Sequence, residues 1–195
     1  MSGEIKREDA GFLTLPANLP RPQNDGACDH LLGTRMPHVP LASTSGRHVD
    51  LAAEAGVVVA YFYPMTGTPG KPLPQGWDAI PGARGCTPQA CAFRDHAAEL
   101  AALGATIFGI SVQSPDDQHE AASRLHLPFE LLSDEKRDLA SALRLPLFTV
   151  DGRQLIRRLT LIVEKGRIEN VFYPVFPPDT HAAEVATWLK NSRLG

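Results

Sequence analysis

The chain has 195 residues, 43% hydrophobic and 21% charged, with a formal net charge of −3, the make-up of one soluble globular domain long enough to bury a single core. That charge gives no reason to expect nucleic acid or an anionic membrane as a partner. No apolar run reaches the length of a membrane span, Met1-Ser2-Gly3-Glu4-Ile5-Lys6-Arg7 lacks the apolar core of a signal peptide, and an odd count of three cysteines fits a reducing compartment; a cytoplasmic protein is expected.

Residues 1–28 are rich in Pro, Asn, Asp and Gly without a sustained period, and read as an arm laid over a single domain spanning 29–195. Gly46 to Leu51 suggests a turn and a short strand. Val57-Val58-Val59-Ala60-Tyr61-Phe62 is a continuous β-branched and aromatic run, the pattern of a central parallel strand buried on both faces. Pro64-Met65-Thr66-Gly67-Thr68-Pro69-Gly70 follows it, and then a Pro- and Gly-rich segment, Lys71 to Gly85, that holds Trp77.

Gly85-Cys86-Thr87-Pro88-Gln89-Ala90-Cys91 carries two of the three cysteines. Thr87 is a good N-cap and Pro88 a good first residue for a helix running to about Leu103. Cys86 then sits where unpaired N–H groups and the positive end of the helix dipole favour an anion, and a nucleophilic sulfur is expected. At about 100° per residue, Phe93, Ala97, Leu100 and Leu103 share the core side with Cys86, whereas Cys91 looks outward. If both cysteines were helical, their Cα atoms would lie about 8.7 Å apart. A disulfide needs less than about 7 Å, so the two sulfurs could join only if the first turns unwound. Cys86, Cys91 and His96 turn about 140° per step and share no face, so no metal site is expected.

Ala105 to Ser111 is a second buried strand, which completes a βαβ unit with Cys86 in the loop region after its first strand. Helices are expected over Pro115 to Arg124 and Glu135 to Leu143, with a short strand, Phe129 to Leu132, between them. Asp151-Gly152 is a hairpin turn. Leu155 to Val163 and Ile168 to Tyr173, joined at Lys165-Gly166, read as antiparallel strands. Asp179 is expected to cap a last helix containing Val185, Trp188 and Leu189. Parallel strands followed by a meander give an α/β protein with a mixed sheet.

The Cys-x-x-x-x-Cys placement, followed by Phe93-Arg94-Asp95 and preceded by Tyr61-Phe62-Tyr63-Pro64, resembles the peroxiredoxins, in particular the Q-type (bacterioferritin comigratory protein-like) subgroup, from about Asp29 onward. The resemblance implies a thioredoxin-like mixed sheet flanked by helices. It implies a thiol-dependent peroxidase that reduces hydrogen peroxide and organic hydroperoxides. Cys86 would be the peroxidatic cysteine, oxidised to a sulfenic acid, and Cys91 the resolving cysteine that condenses with it. No metal or organic cofactor is called for. The reductant would be thioredoxin or a glutaredoxin-like protein, and the assembly a monomer or weak homodimer.

The subgroup's Pro-x-x-x-Thr-x-x-Cys pattern maps Pro64 to the proline that shields the sulfur and Thr68 to the threonine that hydrogen-bonds thiolate and peroxide. Here Lys71 to Gly85 is inserted before the cysteine. If the insertion loops out, Thr68 still reaches Cys86; if it re-routes the chain, Thr66 or a backbone group takes over. The family's Arg-x-Thr matches Arg158-Leu159-Thr160, which selects Arg158 over Arg157, since neighbours in a strand face opposite ways. Arg94 and Asp95 read as a solvated helix face or local support, while the recurrence of Arg94 in the family motif implies a brace for the Cys86 loop. Cys28 is either a thiol without a role or a second resolving cysteine. Two other functions share these residues: a thioredoxin-like dithiol–disulfide oxidoreductase, whose usual signature is the shorter Cys-x-x-Cys, and a non-catalytic redox-sensing or binding domain.

Overall fold

The computed structural model describes residues 11–193; the first ten residues of the arm, including the N-terminal segment read for a signal peptide, lie outside the described residues. Among the described residues there are nine strands: β1 (Pro40–Ser43), β2 (His48–Asp50), β3 (Val57–Phe62), β4 (Ala105–Ser111), β5 (Glu130–Ser133), β6 (Leu147–Val150), β7 (Arg153–Ile156), β8 (Leu159–Glu164) and β9 (Arg167–Phe172). The helices whose bounds lie wholly within the described residues are α1 (Cys86–Asp95), α2 (Ala97–Ala102), α3 (Pro115–Arg124), α4 (Asp138–Ala142) and α5 (His181–Arg193), with a 3-10 turn at Trp77–Ala79.

Seven strands form one mixed sheet in the order β2-β1-β5-β4-β3-β8-β9, while β6 and β7 make a separate hairpin. Strand β3 runs parallel to β4 and antiparallel to β8, and β4 runs parallel to β5. All six residues of β3 are buried, as the unbroken apolar run requires of a strand covered on both faces. One core layer holds Val58, Phe62, Phe108, Leu132 and Leu161; the other holds Val59, Tyr61, Phe93, Leu100, Val185 and Leu189 and carries α1 and α5.

Tyr61 fixes how α1 sits on the sheet. Its ring stacks on Phe93 with centroids 4.5 Å apart and planes 13° apart, and it occupies the space over Gly109, its partner on β4. A Cβ at Gly109 would come within 2.6 Å of that ring, so glycine there is what lets the tyrosine lie flat beneath the helix. Burying Phe93 contributes about 1.5–3 kcal/mol to this anchoring.

Several boundaries differ from the sequence reading. The helix expected from Pro88 to Leu103 breaks at His96, whose Nδ1 pairs with the Ala92 carbonyl at 2.9 Å, and restarts as α2. Its N-cap is Gly85 in the left-handed region at φ 103, not Thr87, so Cys86 is the first helical residue. Glycine is needed there twice over, since a Cβ would also fall 2.4 Å from Pro178 and 2.8 Å from Leu15. The helix expected from Glu135 shortens to α4 behind Arg137, which takes φ 60, while buried Asp134 accepts from the N–H groups of Leu139 and Ala140. Helix α5 opens at His181, two residues beyond Asp179. Helix α3 has the expected bounds, with the Ser114 hydroxyl oxygen accepting from Asp117 N at 3.2 Å.

The span Leu155 to Val163 is two strands rather than one. Asp151 and Gly152, at φ 48 and 70, turn β6 into β7; the chain then leaves the strand at Arg157 and Arg158 before β8 begins.

Candidate active site

Cys86 is the first residue at the positive end of α1, with its side chain in the core; it is 4% exposed. Its Sγ lies 3.6 Å from the Ala83 carbonyl, to which the thiol donates, and 3.1 Å from Nη2 of Arg158. Arg158 is itself buried, and every nitrogen of its guanidinium is engaged. Nε donates to the Gly82 carbonyl at 3.3 Å, Nη2 also to the Ala83 and Arg84 carbonyls at 3.1 and 3.2 Å, and Nη1 to Oε1 of Gln89. A buried cation is tolerated only when its donors are satisfied in this way. The helix terminus and the guanidinium both stabilise negative charge on the sulfur and on an oxygen departing from it.

The break between β7 and β8 sorts the two arginines. Arg157 turns to the surface, where Nη1 reaches Asp25 at 3.0 Å and the Tyr173 hydroxyl at 3.4 Å. Arg158 turns inward. Of the two, Arg158 is the one the structure places against Cys86, in the gap between β7 and β8.

The inserted segment is a wall of the site. Trp77 and Ala83 are buried against Val150 and Leu155 of the β6–β7 hairpin, with Leu73, Ile80 and Phe148 packed around them. Its last residues present the three carbonyls that hold Arg158. Three residues before Cys86, where the family spacing has threonine, stands Ala83.

Pro64 is buried just past β3. Thr68 lines a separate cleft of about 810 Å³ with Lys71, Gln113 and Arg153, and its backbone oxygen accepts from Lys71 N at 3.0 Å. The Thr66 hydroxyl donates to Gln113 Oε1 at 3.2 Å. Among the described residues, neither threonine is hydrogen-bonded to Cys86. Above the sulfur is a cavity of only about 10 Å³, lined in part by Phe12, Met65, Trp77 and Thr87; that is room for about one water. Met65, Gly67 and Leu73 border both this cavity and the large cleft, so these residues divide the two.

Cys91 lies on the other side of α1, half-buried rather than fully outward. Burial raises its thiol pKa, with Arg94 opposing. Arg94 also bonds Asp95 at 2.9 Å and the Leu125 carbonyl at 3.0 Å, so it braces α1 against the end of α3 and not the Cys86 loop. All three cysteines are free. Because Cys86 and Cys91 both fall within α1, the helical geometry that keeps two such sulfurs apart applies here.

Cys28 is buried beside Leu31 and Met36 in the core. Burial first, then the carboxylates of Asp25 and Asp29, push its thiol from the ordinary 9.0 up to about 12. The folded state therefore holds this proton more tightly than the unfolded chain. Its contribution is fully present below pH 9 and is lost as pH rises towards 12. By pH 10 the loss is about 1.4 kcal/mol. Urea unfolding at pH 8 and pH 10 checks this: Cys28→Ala should flatten the decline by about that amount, and an unchanged decline would refute it.

Gln89 escaped the sequence reading. It is fully buried three residues after Cys86, with Oε1 on Arg158. Its spacing puts it on the sulfur's side of the helix, which was a usable signal.

A thiol at a helix start, beneath a guanidinium and set at the C-terminal edge of a thioredoxin-like sheet, defines a thiol-dependent peroxidase. Comparison with known proteins narrows the class. The redoxin family profile matches residues 31–189. The chain is 31% identical to the chloroplastic peroxiredoxin Q of Gentiana triflora, over 93% of its own length and 79% of that protein's. It is 32% identical to the chloroplastic peroxiredoxin Q of Triticum aestivum, over 96% and 80%. Among solved structures, peroxidoxin BcpB of Mycobacterium tuberculosis superposes with a TM-score of 0.67 at 26% identity, covering 83% of this chain and 97% of that one. A peroxiredoxin Q of Xanthomonas campestris does so with a TM-score of 0.60 at 26% identity, covering 90% and 96%. The chain belongs to the redoxin family, on its peroxiredoxin Q branch.

Proposed function

We propose that this peroxidase works with two cysteines, reducing hydrogen peroxide and organic hydroperoxides at Cys86 and closing the cycle through Cys91. The Cys86 thiolate attacks the terminal peroxide oxygen, an S–O bond forms as the O–O bond breaks, and the leaving oxygen departs as water or alcohol after taking a proton. Cys91 then attacks the sulfenic sulfur and expels water to leave a disulfide. That second step requires the first turns of α1 to open, including the bond from Gln89 N to the Gly85 carbonyl at 3.0 Å. A thioredoxin- or glutaredoxin-like dithiol protein returns the electrons to a monomer or weak homodimer working in the cytoplasm. The observation that carries this reading is the 3.1 Å contact between Arg158 Nη2 and Cys86 Sγ at the start of α1.

The test is intact mass and peptide mapping seconds after one equivalent of hydrogen peroxide. Wild type should lose two hydrogens, with Cys86 joined to Cys91. Cys91→Ser should instead stop with one added oxygen on Cys86, trapped by a sulfenic-acid reagent, and should lose multiple turnover with a dithiol reductant. A crosslink to Cys28 would transfer the resolving role, and three intact thiols after minutes would end the peroxidase reading for Cys86.

A further inference from the structure

Resting on the assignment of Cys86 as the peroxidatic residue, we infer that Thr87 is a second catalytic residue, the hydroxyl donor that holds the hydroperoxide over the sulfur. The inserted segment has emptied the place a threonine would otherwise take. Ala83 stands three residues before Cys86, and its carbonyl accepts from the thiol at 3.6 Å, so it cannot donate to a peroxide. Thr66 is committed to Gln113, and Thr68 lines the neighbouring cleft. Every nitrogen of Arg158 already has a partner.

Thr87 differs from all of these. It is the residue directly after Cys86 and is 3% exposed. It lines the small cavity that Cys86 itself lines. No hydrogen bond from its hydroxyl is found among the described residues, and that oxygen is not one of the sealed, unpaired polar atoms of the core. A hydroxyl that is neither paired nor sealed off, on a residue lining the cavity beside a reactive sulfur, is open to a ligand that fills that cavity. Gly85 as N-cap leaves this hydroxyl free, since the capping role expected of Thr87 has moved two residues upstream.

In the reaction, the Cys86 thiolate forms an S–O bond with the terminal oxygen. The O–O bond breaks and its electron pair leaves on the second oxygen, which takes a proton from solvent. The sulfur is oxidised by two electrons and the peroxide reduced by two. Thr87 keeps its own proton and donates a hydrogen bond to the peroxide, which strengthens as charge develops on the leaving oxygen.

The experiment compares the second-order rate of Cys86 oxidation by hydrogen peroxide with the rate of Cys86 alkylation by iodoacetamide, a reaction with no leaving oxygen to hold. Trp77, which lines the same cavity, reports oxidation by its fluorescence. Thr87→Val should slow oxidation about 30-fold while leaving alkylation unchanged. Thr87→Ser should recover most of the rate, and Thr68→Val should match wild type. Thr87→Ala gives the same comparison if valine overfills the site. Oxidation and alkylation falling together in Thr87→Val would reduce the residue to a structural part of the helix turn. Thr68→Val losing as much as Thr87→Val, or Thr87→Val oxidising like wild type, would overturn the inference and leave Cys86 as nucleophile. A wild-type protein whose Cys86 alkylates but does not react with peroxide would remove the peroxidase assignment, and this role with it.

Discussion

Cys86→Ser is expected to abolish peroxide turnover, by about four orders of magnitude or more, while the protein stays folded. The effect is chemical. A serine hydroxyl is scarcely ionised at neutral pH and cannot pass through a sulfenic state, whereas a thiolate does both. The packing change is small, because oxygen for sulfur removes little volume and a hydroxyl still donates to Ala83 O and accepts from Arg158, the two partners Sγ has now. Thermal unfolding should therefore shift by no more than a few degrees. The measurement is peroxide consumption with a dithiol reductant, beside a melting curve. Activity within tenfold of wild type would move the nucleophile elsewhere. Cys28 is a poor replacement, since its buried thiol is pushed up to about 12.

Arg158→Met is expected to lower the rate of Cys86 oxidation by about 10²–10³-fold and to destabilise the fold by about 2–4 kcal/mol. The two losses have separate origins. The rate falls because the positive charge 3.1 Å from the sulfur is gone. Stability falls because the carbonyls of Gly82, Ala83 and Arg84 and the Gln89 amide lose their donor within a closed site. Arg158→Lys separates the contributions: it restores the charge but lacks the planar fork that reaches several acceptors at once. It should recover part of the rate and little of the stability. Arg157→Lys is the control. Arg157 is an exposed residue paired with Asp25 and Tyr173, and the change should alter the rate less than about twofold. Full activity in Arg158→Met would take the guanidinium out of the mechanism.

Sequence alone determined the elements whose signal is local. The unbroken runs of β3 and β4, the Ser114-capped α3, and the turns at Asp151-Gly152 and Lys165-Gly166 follow from side-chain period and backbone preference over a few residues. Cys86 at a helix start was legible for the same reason, as was the common face it shares with Phe93. Strands β1 and β6 were missed: each is four residues long, too short to show a period of its own.

Tertiary structure decided what surrounds the sulfur, because those contacts join residues far apart in sequence. Gly85 rather than Thr87 caps α1, since a side chain there would strike Pro178 and Leu15. Whether Lys71 to Gly85 looped out or re-routed the chain was a question of packing, and Trp77 against the β6–β7 hairpin answered it. With that anchor in place, three backbone carbonyls that no sequence pattern marks converge on Arg158, which lies buried in the gap between β7 and β8. Periodicity and capping propensity arise within one or two turns of chain and can be read from the letters; a buried charge has to find its acceptors wherever the fold brings them.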